Sequence, residues 1–229
     1  MTGVLLFAAA ISFFLHLASE TVSTFFKYNF SGLGRQMVGV SYANIFALVS
    51  RGFIAVYGVL ISIVIERNLA DMTRYAIVFA VVCILGSCVS IWLSKIKFVG
   101  FVDDLPPPGW RDVAIRIRAA FRPNDHQSVV RIRGLTSIAI GTQFLSVVIA
   151  YGLCFAMPSN RLMIISMVPV FSTVGGLLTF VWVEPRLARM IDADNLSGYA
   201  ASREFLRARG LSFAACAVVI LAMGLVFSL

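Results

Sequence analysis

The chain reads as an all-α, polytopic membrane protein with about six transmembrane helices, and three observations predict it. Hydrophobic residues fill 59% of the 229 positions and charged residues only 13%, which is not the balance of a water-soluble domain. The apolar residues gather into six runs, each close to the roughly 20 helical residues needed to cross a hydrocarbon core of about 30 Å. The 19 Lys and Arg residues, set against 11 acidic ones, fall almost entirely in segments on one side of those runs.

The first run, residues 3–26, lacks a basic n-region and a small-residue cleavage site. It contains His16 and Glu20, so it is expected to be a retained span and not a signal peptide. The second, residues 39–65, carries Asn44, Ser50 and Arg51. In the third, residues 75–94, Cys83, Ser87, Ser90 and Ser94 recur at helical spacing, the pattern of a close-packing seam. The fourth and fifth are residues 135–157, with Gln143, and 162–183, where Pro169 precedes Gly175 and Gly176 and predicts a kink. The sixth is residues 211–229. The whole of 1–229 is therefore one integral membrane domain.

Sorting basic residues by loop sets the orientation. Lys27, Arg35, the cluster Lys95 to Arg133 and the cluster Arg186 to Arg209 share one side, and only Arg67, Arg74 and Arg161 take the other. The positive-inside bias puts both termini outside and makes 95–134 and 184–210 cytoplasmic. The same asymmetry accounts for the net charge of +8, so nucleic acid is not an expected partner. Within 95–134, Pro106, Pro107, Pro108 and Gly109 end any entering helix. Beyond them Trp110, Val113, Ala114, Ile117 and Phe121 share one helical face flanked by Arg111, Arg118 and Arg122. This predicts a cytoplasmic amphipathic helix between spans three and four, seated among anionic membrane lipids, or else a basic loop that only sets topology.

No metal or cofactor is expected. His16 and His126 are the only histidines, Cys83 and Cys88 point to different helix faces, and no glycine-rich nucleotide loop is present. The unusual residues are the buried charges, because a charge at bilayer depth costs about 2.5–3.5 kcal/mol on insertion scales. Glu20 falls about 8 Å to the cytoplasmic side of its span's centre, with His16 one turn away on the same face, and Arg51 sits near the middle of the returning span. Two readings stand. Glu20 and Arg51 pair and pin two helices, or Arg51 receives a phosphate-bearing headgroup in transit, with Glu20 its resting counter-ion and His16 its modulator.

Three segments also resemble a known family. Phe13-Phe-Leu-His-Leu-Ala-Ser-Glu-Thr21, Asn44-Ile-Phe-Ala-Leu-Val-Ser-Arg51 and Val183-Glu-Pro-Arg-Leu-Ala-Arg-Met-Ile-Asp-Ala-Asp194 are similar to the His-x-x-x-Glu-Thr, Asn-x-x-x-Leu-Val-Ser-Arg and Val-Asp-Pro-Arg segments of the Amj family of bacterial lipid II flippases, with Glu184 in place of Asp. The resemblance spans about the first 65 residues and the region from the fifth span onward. It implies a multi-pass protein of the bacterial cytoplasmic membrane that translocates undecaprenyl-diphosphate-linked peptidoglycan precursor for cell wall biogenesis. It points to His16, Glu20, Thr21, Asn44, Ser50, Arg51, Glu184, Pro185 and Arg186. In that expectation the chain is a transporter and not an enzyme. Arg35 and Arg186 capture the diphosphate at the inner mouth, Arg51 is the midplane station, and Gln143 and Asn44 add neutral polar groups. A homodimer, or a groove open to lipid, answers the difficulty that six helices are few for so large a headgroup. Two other classes remain: an intramembrane lipid-pyrophosphate enzyme using Glu20, His16, Ser50 and Arg51, and a non-catalytic scaffold docking partners through its basic helices.

Overall fold

The computed structural model describes residues 2–32, 36–67, 70–96, 126–187 and 198–227. Within them the secondary structure is helical throughout. The elements are α1 (Thr2–Gly32), α2 (Gln36–Glu66), α3 (Met72–Leu93), α4 (His126–Ala156), a 3-10 turn (Pro158–Asn160), α5 (Arg161–Leu178), a π-helical stretch (Thr179–Val183) and α6 (Gly198–Val226). Six helices are long and apolar enough to cross a membrane, as the hydropathy pattern predicts. The amphipathic segment around Trp110 to Arg122 lies outside the described residues.

Helices α1, α3 and α6 form the centre, and small residues let them approach. A side chain on Gly86 would press on Leu17 and Phe213, and one on Gly210 would meet Ile91 and the Ser87 carbonyl. The serine seam of α3 is buried as its spacing predicts, and Ser90 meets the Thr21 hydroxyl across the α1–α3 contact at 3.3 Å. Cys83 is buried and Cys88 exposed, on different faces of the helix. Further hydroxyl and amide bonds tie neighbouring helices, including Asn29 Nδ2 to Ser202 Oγ at 2.9 Å and Ser212 Oγ to the Ser137 carbonyl at 2.8 Å. Such bonds are each worth about 0.6 kcal/mol within a membrane bundle.

The remaining helices attach as flanks. α2 packs on α1, while α5 packs on α4 and leaves almost all of its apolar window uncovered. Asp71 caps α3 by accepting the Arg74 backbone N–H at 2.7 Å, which ends the short turn from α2. In α5 the ring of Pro169 removes one backbone donor, and the π-helical stretch follows nearly three turns later, a local irregularity often found at functional sites.

One boundary departs from the hydropathy reading. The sixth helix does not begin near residue 211 but runs unbroken from Gly198, with a membrane-length apolar span from Ala200. Residues 200–209, expected in a cytoplasmic segment, are built into the bundle: Ala201, Leu206 and Ala208 are fully buried, as are Ser202, Glu204 and Arg209. The physical reason is that their charges are matched inside the fold. The carboxylate of Glu204 accepts both Nε and Nη2 of Arg133 and lies at ion-pair distance from Arg203 and Arg207. A window average counts such charges as solvated, although neighbouring helices neutralise them.

Candidate functional site

Five helices enclose a chamber of about 530 Å³. α1 contributes His16, Glu20, Ser23, Thr24 and Lys27 to its wall, which are successive turns of one helical face. α2 adds Asn44, Arg51 and Ile54, α4 adds Gln143 and Phe144, and α6 adds Phe205 and Arg209. The far wall is α5 and its π-helical end, through Ser172, Gly176, Thr179, Phe180 and Glu184. Glu20, Arg51, Gln143, Ser172 and Arg209 each lie within about one turn of the middle of their spans. The chamber therefore reaches mid-depth of the bundle and extends from there to the basic end.

The chamber is asymmetric along the bundle axis. Toward the basic end, where α1 finishes and α6 begins, it reaches Lys27 and Glu184, both partly exposed, whose side chains form a 2.6 Å ion pair between α1 and α5. Toward the other end its lining stops at His16 and Ile54, and a set of rings packs beyond. Tyr57 contacts Phe13, Phe79 and Tyr151, and Tyr75 packs at a tilt against Phe79 while donating to the Val148 carbonyl at 2.9 Å. Tyr57 and Tyr75 are wholly buried. The chamber thus reaches the surface at the basic end and on the side where the lining residues Asn44, Arg51 and Phe180 are exposed, and is plugged by aromatic packing at the other end.

At its centre lies a chain of polar contacts. His16 Nδ1 is 2.6 Å from Ser50 Oγ and 3.2 Å from the Ser50 carbonyl oxygen. A carbonyl can only accept, so Nδ1 carries the hydrogen and donates to both. Ser50 Oγ then spends its own proton on Glu20 Oε1 at 3.1 Å, while Glu20 Oε2 accepts from Arg209 Nη2 at 3.4 Å. Ser50 is fully buried and outside the chamber lining, so its hydroxyl, although directed at the Glu20 carboxylate, is sealed from the chamber.

Most of the residues expected from sequence meet at this chamber: His16, Glu20, Asn44, Arg51, Gln143 and Glu184 all line it. Asn44 and Arg51 are exposed, and Arg51 has no hydrogen-bond or ion-pair partner among the described residues. The question of its pairing with Glu20 is thereby answered, because the cation that Glu20 holds is Arg209. Arg186 is exposed and outside the lining, Arg35 lies outside the described residues, and Thr21 faces α3, donating to the Leu17 carbonyl at 2.7 Å. Pro185 is half-buried beside Glu184 and takes no part in the lining.

Sequence reasoning missed Lys27 and Arg209, which it assigned to topology-setting loops. For Lys27 a signal was available, since it falls two turns beyond Glu20 on the same face of α1. For Arg209 none was, because its burial depends on the helices packed around the start of α6. Three cationic side chains in the wall, Lys27, Arg51 and Arg209, oppose two carboxylates, Glu20 and Glu184, leaving one positive charge in excess. Compared with known proteins, the chain matches no family model, no curated protein and no solved structure.

Proposed function

We propose that this protein is a flippase that carries a polyprenyl-diphosphate-linked glycan across the bacterial cytoplasmic membrane, with lipid II the substrate named by the sequence resemblance. In this reading both termini are outside and the basic end of the bundle is cytoplasmic, so the chamber faces inward. One observation carries the proposal: the guanidinium of Arg51 stands near the middle of its span, with no hydrogen-bond or ion-pair partner among the described residues, on the wall of a chamber with surplus positive charge. A membrane bundle does not hold such a group cheaply, and the group suits an anion that passes through.

The geometry supports this reading in two further respects. A volume of about 530 Å³ accommodates a diphosphate and an adjoining sugar but not an entire glycopeptide and its lipid tail. The rest of the substrate must therefore remain outside. α2 and α5 stand on opposite flanks and are each held mainly by a different partner, and their outer faces expose Leu48, Val59, Val170 and Val174, so the tail can stay in lipid. An open groove serves where six helices could not form a closed cage. Arg35 and Arg186 remain the proposed capture residues at the cytoplasmic rim, among anionic headgroups. Passage then requires the aromatic plug of Phe13, Tyr57, Phe79 and Tyr151 to part on the outer side. A lipid-pyrophosphate enzyme is less well supported, because Ser50 is fully buried and takes no part in the chamber lining.

The test is the surface accessibility of lipid II in cells that depend on this protein alone. Arg51→Ala protein present at normal membrane levels is expected to expose substrate far more slowly than wild type. Normal exposure by that variant overturns the proposal.

A further inference from the structure

Arg209 is one of two chamber cations that sequence reasoning assigned only a topological role, and the one that is deeply buried. It is only 5% exposed and yet forms part of the chamber wall. A guanidinium has five N–H donors, and this one spends Nη2 on a single 3.4 Å bond to Glu20, long for a charge-assisted contact. Its Nε and Nη1 are buried with no hydrogen-bond partner among the described residues. The rings of Phe144 and Phe205, 5.8 and 5.9 Å from the guanidinium carbon, support its charge but accept none of those hydrogens in the manner of an oxygen. Were Arg209 only a pin between α1 and α6, a two-pronged pair with Glu20 would satisfy it. Glu20 instead turns Oε1 to Ser50 and leaves the pair half made.

The geometry points to Arg209 as an anion-binding residue whose ligand is a phosphoryl group of a lipid diphosphate, with Glu20 as the internal anion that this group displaces. The two guanidinia, and not the chamber's net excess of one positive charge, specify the ligand class, one phosphoryl group for each once Glu20 has turned away. Lys27 is matched by Glu184, so Arg51 and Arg209 share the one remaining carboxylate, and a diphosphate diester brings one negative charge on each phosphoryl group. Two guanidinia at mid-depth then meet two charged phosphoryls, and Arg209 gains oxygen acceptors for the donors it now leaves unused. The lipid source of the diphosphate rests on the flippase reading, whereas the anion site itself does not.

The test titrates the purified full-length protein in neutral detergent micelles with farnesyl diphosphate, inorganic diphosphate and farnesol, reading affinity by calorimetry. Farnesyl diphosphate is expected to bind, and Arg209→Gln to weaken it about 10- to 100-fold, the size of a lost charge-assisted hydrogen bond. Glu20→Gln is expected to bind several-fold more tightly than wild type, since the competing carboxylate is gone. Glu184→Gln, the same change of charge at a carboxylate already matched by Lys27, should give a smaller gain. Wild-type affinity in a folded Arg209→Gln protein overturns the assignment. If that variant does not fold, unchanged or weaker binding by Glu20→Gln overturns it equally. Inorganic diphosphate or farnesol binding as tightly as the prenyl ester overturns the choice of a lipid diphosphate. Translocation of labelled lipid II in liposomes separates the two proposals. Tighter binding by Glu20→Gln in a protein that moves no lipid II sinks the flippase and leaves Arg209 its role, and normal translocation by Arg209→Gln does the reverse.

Discussion

The attachment of α5 can be tested at a single hydrogen atom. A Cβ built on Gly175 would lie 2.6 Å from the backbone nitrogen of Gln143, 2.8 Å from its Cβ and 2.9 Å from the Ala139 carbonyl oxygen. Two of these three atoms are α4 main chain, so no side-chain rotation relieves the clash. Restoring a 3.4 Å separation moves α5 outward by roughly 0.8 Å at this point. Overpacking of this kind costs about 1–3 kcal/mol. Because α5 buries so little elsewhere, the helix is expected to tilt away from α4 rather than compress it. The adjacent Gly176 faces the chamber with nothing within 4 Å of its added Cβ. Gly175→Ala should therefore melt roughly 2–12 °C below Gly176→Ala in detergent, taking about 2–4 °C per kcal/mol for a chain of this size, with Gly176→Ala at or above wild type because alanine is the better helix former. Since both replacements lower helix propensity cost equally, the difference between them isolates packing. Equal melting temperatures for the two variants would refute the close α4–α5 contact and, with it, the position of the chamber's far wall.

Other perturbations separate structural from functional roles. Glu204→Ala strips three arginines, Arg133, Arg203 and Arg207, of their shared carboxylate. Because those arginines keep access to solvent, a loss of about 2–3 kcal/mol is expected, below the full penalty for breaking a buried pair. Unfolding measurements that also include Arg133→Ala with Glu204→Ala should show the double variant less damaged than the single changes would sum to. The partly exposed Lys27–Glu184 pair is worth only about 0–1 kcal/mol in stability. Lys27→Glu or Glu184→Lys should therefore slow lipid II translocation with little change in melting, and the double swap should recover rate; a double swap as slow as either single rules out that ion pair as a functional contact of the mouth. Ser50→Ala removes the hydroxyl between His16 and Glu20 at a cost of about 1 kcal/mol, with His16 still donating to the backbone carbonyl. Translocation is expected to persist in that variant, and its complete loss together with phosphate release by the wild type would favour the enzyme.

Much of the candidate site could be read from the chain because polar residues in apolar runs announce themselves. His16 and Glu20 share a face of α1 by spacing alone, and Asn44, Arg51 and Gln143 stand out in their spans by chemistry. All five line the chamber. The partner of Glu20 could not be read, since two arginines lie at comparable depth on different helices and only the packing of α1 against α6 selects Arg209. Lys27 and Glu184 illustrate the same limit: 157 positions apart in the chain, they meet only through the packing of helices distant in sequence.

Hydropathy and charge distribution by themselves determined that this protein is a bundle of six membrane-length helices with a basic end, because lipid imposes length and apolarity on each helix separately. Tertiary structure alone decided where the sixth helix starts, which carboxylate meets which cation, and that the chamber opens at one end and along one side and is stoppered by rings at the other end. Those outcomes depend on contacts between helices far apart in sequence, and a charge is costly or cheap at depth only according to the neighbour that packing brings to it.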